Sequence, residues 1–163
     1  MSGGVATQER DEDPLLLDRQ VCFPLYAATN LLNRLYGPVL GELGLTYPQY
    51  LVMLVLWENQ PQTVGALGAR LYLDSGTLTP LLKRMESAGL ITRARDPEDE
   101  RRVLVTLTGK GKALRQQALH VPETISNGYK PEGIEELRES VRDLVSILAQ
   151  LDTRSRASRA ARP

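Results

Sequence analysis

From Val21 the apolar side chains fall at positions 21, 25, 28, 32, 35 and 39, steps of four and three that draw one stripe along an amphipathic helix. Gly41 and Gly44 predict its end. Thr46 followed by Gln49, with Pro48 in the first turn, has the form of a capping box and opens a second helix through Leu51, Leu54 and Val55 to Trp57, which Asn59 to Pro61 closes. Thr63 is placed to cap a short third helix. Asp74 or Ser75 caps a fourth that runs to Ser87 and stops at Ala88-Gly89. The period then changes to two. Leu90 to Arg95 and Arg102 to Leu107 alternate on either side of the charged, turn-forming segment Asp96 to Glu100, which predicts a two-stranded hairpin with a long tip. Thr108 caps a fifth helix, and Pro122 to Gly133 reads as a loop. The last helix sets Ile134, Leu137, Val141, Leu144, Leu148 and Leu151 in a narrow a/d seam, a pattern that wants another helix against it.

The fold class is therefore mainly α with a small β wing. Two short helices joined by a tight turn and followed by a two-stranded ribbon are the parts of a winged helix-turn-helix, whose second helix enters the major groove of DNA. The chain's 163 residues suit one domain, and 42% apolar with 25% charged residues excludes both a disordered chain and a membrane protein. The longest apolar run, Leu51 to Trp57, is far below the ~20 residues of a spanning helix. The acidic stretch before Pro14 has neither the basic start nor the apolar centre of a secretory signal, so a cytoplasmic location is expected. A single cysteine and a single histidine exclude an internal disulfide and the usual zinc sites, and no metal or cofactor is expected. The histidine, His120, is assigned no role.

The net charge of zero conceals a polarity. Residues 1–60 hold three Lys/Arg against seven Asp/Glu, whereas residues 70–115 hold ten against six. A basic excess on the segment that carries the helix-turn-helix and hairpin points to a polyanion, although a solvated face that binds nothing has the same composition. On the fourth helix, Ser75, Thr77 and Thr79 offer hydroxyls to base edges or phosphates, Pro80 an apolar contact, and Lys83 and Arg84 charges for the backbone. Pro80 is expected about one turn inside the helix, where its missing N–H is nearly free of cost. The hairpin carries Arg93, Arg95, Arg101 and Arg102, and an arginine-bearing tip suits the narrow minor groove. One chain's excess of four charges is modest, so tight binding needs two copies, hence a homodimer on a pseudo-palindromic double-stranded operator.

Cys22 lies in Val21-Cys22-Phe23-Pro24-Leu25-Tyr26. Pro24 is tolerated only in a first turn, so the first helix should begin near Cys22, at the dipole end that favours a thiolate. Tyr26 is one turn away. Tyr36 is fourteen residues on, about 21 Å along a continuous helix, beyond reach of Cys22 in the same chain but within reach of it on an antiparallel partner. Phenols around a sulfur stabilise a thiolate and leave an apolar pocket for an organic oxidant; a buried cysteine packed among core aromatics is the other reading of the same residues.

Asp99-Glu-Arg101-Arg102 leading through Val103 to Leu107-Thr108 resembles the wing signature of the MarR family. Leu45-Thr-Tyr47-Pro-Gln-Tyr-Leu-Val-Met-Leu-Val-Leu-Trp57, with Cys22-Phe23 and Tyr26, resembles its organic hydroperoxide-sensing (OhrR) subgroup; the likeness covers about residues 15–150. The resemblance implies a homodimeric repressor of a peroxide resistance gene, joined through its N- and C-terminal helices. It assigns Cys22 as the oxidised residue, Tyr36 and Tyr47 as hydrogen-bond partners from the other subunit, Tyr26 as a pocket residue, and Asp99 to the structure of the wing. The implied organisation is a flexible tail over 1–13, a helical dimerisation region over 14–45 and 109–152, the DNA-binding domain over 46–108, and a flexible basic tail over 153–163. Subgroup members with a second cysteine resolve the sulfenic acid as an intersubunit disulfide. Here Asn127 stands in that region, so a one-cysteine type is implied, in which Cys22–SOH is capped by a small thiol, cyclises, or overoxidises. Pro24 departs from the subgroup's pattern and bears on how the first helix begins. Two other readings remain open: a repressor of the same fold released by a small aromatic ligand, with Cys22 inert, and a thiol peroxidase that uses Cys22 catalytically.

Overall fold

The computed structural model describes residues 13–127 and 132–160, in two units that divide between Ile125 and Ser126. In the first unit a 3-10 turn, Leu17–Arg19, precedes helix α1, Cys22–Glu42. Helix α1 begins at Cys22 as expected, with Pro24 in the first turn. It runs through Gly41, and Gly44, at φ +66°, provides the left-handed step that leaves it. Its apolar stripe is open to solvent over most of its length: Val21, Leu32 and Leu35 are exposed, whereas Leu40 at the far end is buried.

Helix α2, Tyr47–Glu58, opens on the expected capping box, in which Gln49 Oε1 accepts the Thr46 N–H at 2.8 Å. It buries Tyr50, Val52, Met53, Val55 and Leu56 and so forms the centre of the core. Helices α3 (Val64–Leu71) and α4 (Ser75–Ser87) follow, capped by Thr63 and Asp74. Tyr72, at φ 54°, makes the turn between them. The core closes with Leu67 from α3, the inner face of α4, and Ile91, Val105 and Leu107 from the wing. Helix α5, Gly109–Ala118, adds Leu114 and Ala118, and Thr108 caps it by accepting the Gly111 N–H at 3.0 Å.

Strands β2 (Ile91–Arg95) and β3 (Val103–Leu107) pair antiparallel from Ile91 opposite Leu107 to Arg95 opposite Val103. The sheet nevertheless has three strands where the alternation predicts two. Strand β1, Gln62–Thr63, pairs with the other edge of β3, in the order β1-β3-β2. Two residues are too few to show a period, and their strand state is set by what β3 offers. The expected loop over 122–133 is helical at its start: α6 spans Val121–Ser126, with Pro122 in its first turn and Val121 fully buried, and residues 128–131 lie outside the described residues.

The second unit consists mainly of helix α7, Ile134–Ala160. Residues 153–160, expected as a frayed tail, continue this helix. Alanine and arginine are strong helix formers and no Gly or Pro interrupts the segment, so the helix propagates past the end of its apolar seam. Residues 1–12, most of the expected N-terminal tail, lie outside the described residues.

Candidate DNA-reading face and cysteine sensor

Helix α4 buries Leu78, Leu81, Leu82 and Met85 and exposes Ser75, Thr77, Thr79, Pro80, Lys83 and Arg84, so the side chains selected from the sequence share its open face. Its start is held by Asp74, whose Oδ1 accepts the Thr77 N–H at 2.9 Å while the Thr77 hydroxyl donates to Oδ2 at 3.1 Å. These bonds, the backbone one foremost, hold the Asp74 carboxyl below its ordinary range. Pro80 is not the nearly costless residue expected. It is the sixth residue of α4, where an N–H would have bonded the Gly76 carbonyl, so that carbonyl loses its helical donor.

The wing arginines divide into two kinds. Arg93 is clamped to Glu86 of α4: its backbone N–H reaches Oε1 at 2.9 Å, and Nε and Nη2 reach Oε2 at 3.0 and 2.7 Å. The side-chain bonds hold the Glu86 carboxyl low, and the clamp ties β2 to α4. Arg102 donates to the buried Asp96 at 2.7 Å, and Asp96 also accepts the Glu98 N–H at 3.0 Å, which fixes the turn. Arg95 and Arg101 lie at the exposed tip. Arg95 donates to the Glu100 carbonyl at 2.6 Å; Arg101, its side chain 91% exposed, bonds Asp99 through its N–H and its Nε, both at 3.1 Å. The side-chain bond, then the backbone bond, lowers the Asp99 pKa. Asp99 thus accepts both bonds from Arg101 within the turn. Between the start of α3, Thr79 and Arg93, Arg101 and Arg102 lies a cleft of about 560 Å³.

At the other end of the unit, Cys22 is exposed at the first position of α1 and Tyr26 stands one turn along, also exposed. Because α1 is unbroken to Glu42, Tyr36 lies fourteen residues and about 21 Å up the axis from Cys22. There it meets Tyr47, with ring centroids 4.8 Å apart. The structure therefore joins Tyr36 to Tyr47 and places Cys22 and Tyr26 at the opposite end of the helix. Two aromatics the sequence reading passed over extend the cluster: Tyr50, 6.1 Å from Tyr36, and Trp57, 6.3 Å from Tyr50. Their signal was available, since 47, 50 and 57 lie on one face of a helix. Burial above all, and then the neighbouring Tyr36, pushes the Tyr47 and Tyr50 phenols above their ordinary pKa. Among the described residues, no group of His, Cys, Asp or Glu could hold a metal ion, and no single helix is long and apolar enough to cross a membrane.

Residues 34–118 match the family described as "Transcriptional regulator SarA/Rot". Over 143 residues, 88% of this chain and 97% of the relative, the chain is 48% identical to the "Organic hydroperoxide resistance transcriptional regulator" of Bacillus subtilis (strain 168). Among solved structures, reduced AbfR bound to DNA matches with TM-score 0.68 at 37% identity, covering 88% of this chain and 99% of that one. Overoxidized AbfR bound to DNA matches with TM-score 0.67 at 38% identity, covering 87% and 98%; AbfR is a protein of Staphylococcus epidermidis.

Proposed function

The chain belongs to the SarA/Rot family of transcriptional regulators, with a MarR-type winged helix-turn-helix fold, and from that membership we propose that it is a homodimeric repressor released from its operator when an organic hydroperoxide oxidises Cys22. It is an OhrR-like regulator and not an enzyme, which sets aside the thiol peroxidase reading.

The observation that carries the proposal is the unbroken α1. It sets Cys22 and the Tyr36–Tyr47 pair at opposite ends of one helix, and leaves along that helix an open apolar stripe on which a second copy can lie antiparallel. In that arrangement the phenols of each subunit meet the sulfur of the other. The two α4 helices then stand about one turn of DNA, ~34–36 Å, apart on a pseudo-palindromic site. Residues 14–45 and 109–152 make the dimer, and residues 46–108 read the operator. Thr79, Lys83 and Arg84 face the major groove, with Ser75, Thr77 and Pro80 at the head of the helix, and Arg95 and Arg101 enter the minor groove. Arg93 and Arg102 hold the wing in place. The regulator works in the cytoplasm, where the DNA is.

The Cys22 thiolate attacks the outer oxygen of the hydroperoxide, the O–O bond breaks, the alcohol leaves, and the sulfur becomes a sulfenic acid. A small thiol condenses with it, forming a mixed disulfide and releasing water. Full release, from 1:99 to 99:1, needs about 5.5 kcal/mol of preference for the non-binding state. The overoxidized AbfR bound to DNA favours a bulky adduct over a charged sulfur as the releasing state. Operator binding is tested by gel shift with cumene hydroperoxide and a small thiol. Wild type is expected to be released and Cys22→Ser to stay bound; equal release of the variant overturns the proposal.

One observation supports a second reading. An apolar pocket of about 310 Å³ between α2 and α5, lined by Tyr50, Leu54, Trp57, Ala118 and Leu119 with Arg115 at its rim, fits a small aromatic ligand. Release by such a ligand from the Cys22→Ser protein would support that reading.

A further inference from the structure

The aromatic string does not end at the candidate sensor. It passes from Tyr36 and Tyr47 to Tyr50 and on to Trp57 in steps of 4.8, 6.1 and 6.3 Å, all within the range of contacting aromatic rings. At the end of α2, Trp57 Nε1 donates to the Gly111 carbonyl at 2.9 Å. Gly111 lies in the first turn of α5 and tolerates no side chain, because a Cβ there would stand 2.1 Å from the Leu90 carbonyl oxygen. The same turn grips the residues that leave the reading helix. Thr108 donates its N–H to the Leu90 carbonyl at 3.1 Å and its hydroxyl to that of Gly89 at 2.6 Å, and Lys110 donates to that of Ala88 at 2.8 Å. The carbonyls joining α4 to β2 are thus held by the start of α5, and the start of α5 is held by Trp57.

Close-packed elements of this kind shift as bodies, not by local yielding. We infer that Trp57 is a positioning residue, coupling the tyrosine cluster to the reading helix through its hydrogen bond to Gly111. The inference rests on the proposed oxidation-dependent release. A half-buried indole N–H needs an acceptor in any case, and what singles out Trp57 is that its acceptor lies in the turn that holds the exit of α4. The Gly111 carbonyl already belongs to the helical ladder of α5, so removing the indole donor strands no buried acceptor, and Trp57→Phe should fold.

The test is the dissociation constant of labelled operator DNA for reduced protein and for protein treated with cumene hydroperoxide and a small thiol. Trp57→Phe is expected to bind within about threefold of wild type when reduced and to form the Cys22 adduct at the wild-type rate. Its oxidised-to-reduced ratio should fall at least tenfold, and Tyr50→Leu should lower that ratio with no further loss in the double variant. An unchanged ratio in Trp57→Phe, while wild type is released, overturns the inference alone. Absence of release in wild type overturns the sensing proposal beneath it. A readout free of substitution is the emission of Trp57, the one tryptophan in the sequence. A spectral shift on oxidation of wild type but not of Cys22→Ser supports the coupling, and an unchanged spectrum contradicts it.

Discussion

The reading head and the helical arms solve the problem of apolar surface in opposite ways. Most of the core comes from Leu45 to Leu107, with Val52, Met53, Leu67, Leu82, Met85 and Val105 fully buried, and Leu40 at the end of α1 with Leu114 and Ala118 of α5 completes it. Along α1 and α7 the same kinds of side chain stand open: Leu35 is 57% exposed, Leu137 57% and Leu151 54%. Both regions are amphipathic by sequence. The difference is that the head buries its apolar side chains within the chain, whereas the open stripes of α1 and α7 are the surfaces that the proposed dimer would cover with a second copy.

The largest effect is expected where that difference is attacked at the arms. Leu148→Asp puts a charge into the α7 seam, and sedimentation should then report monomers. Operator affinity should fall by at least about 100-fold, because two heads no longer bind as one ligand. A variant that sediments as a dimer with unchanged affinity would remove α7 from the interface. Next comes damage to the finished core. Leu82→Ala empties a fully buried site in α4 and should cost about 2–5 kcal/mol in urea unfolding. The dimer should persist at neutral pH in mild conditions, since the arms keep their stripes.

The smallest effect is a pH dependence confined to the head. Asp74, Glu86 and Asp99 have folded pKa values below their ordinary ones, through bonds from Thr77, Arg93 and Arg101 respectively. A depressed folded pKa gives stability that is complete above the unfolded value, near ~4, and is lost as pH falls through the folded value. The urea midpoint should therefore drop between about pH 5 and pH 3, and Glu86→Gln should flatten part of that drop. Hydrogen exchange should place the acid loosening in α4 and the wing before α7.

Much of this architecture is legible in local patterns. The caps at Thr46, Thr63, Asp74 and Thr108, the start of α1 at Cys22, and the stops at Gly44 and Gly89 all act within a few residues, so neighbouring letters suffice to place them. The features that escape are those whose partner lies far along the chain. Strand β1 exists because β3 is beside it. Arg93 has the composition of a DNA contact, yet Glu86 claims its guanidinium. Asp96 is one acid among several at the hairpin tip until the fold buries it against Arg102. Pro80 is a miss of another kind: counting residues from the cap places its absent N–H inside the ladder, a cost the one-turn approximation overlooked.

The candidate site divides in the same way. Sequence alone determined that Cys22 begins a helix, that Tyr36 sits too far along it to touch that sulfur in the same chain, and that Ser75, Thr77, Thr79, Lys83 and Arg84 share one open face of α4, because helical rise and period are properties of the backbone. Tertiary structure alone decided that Tyr36 meets Tyr47, that Tyr50 and Trp57 prolong the contact, and that the string ends on Gly111 beside the exit of α4. Those meetings depend on how helices pack against one another, a matter of shape and volume that no single segment encodes.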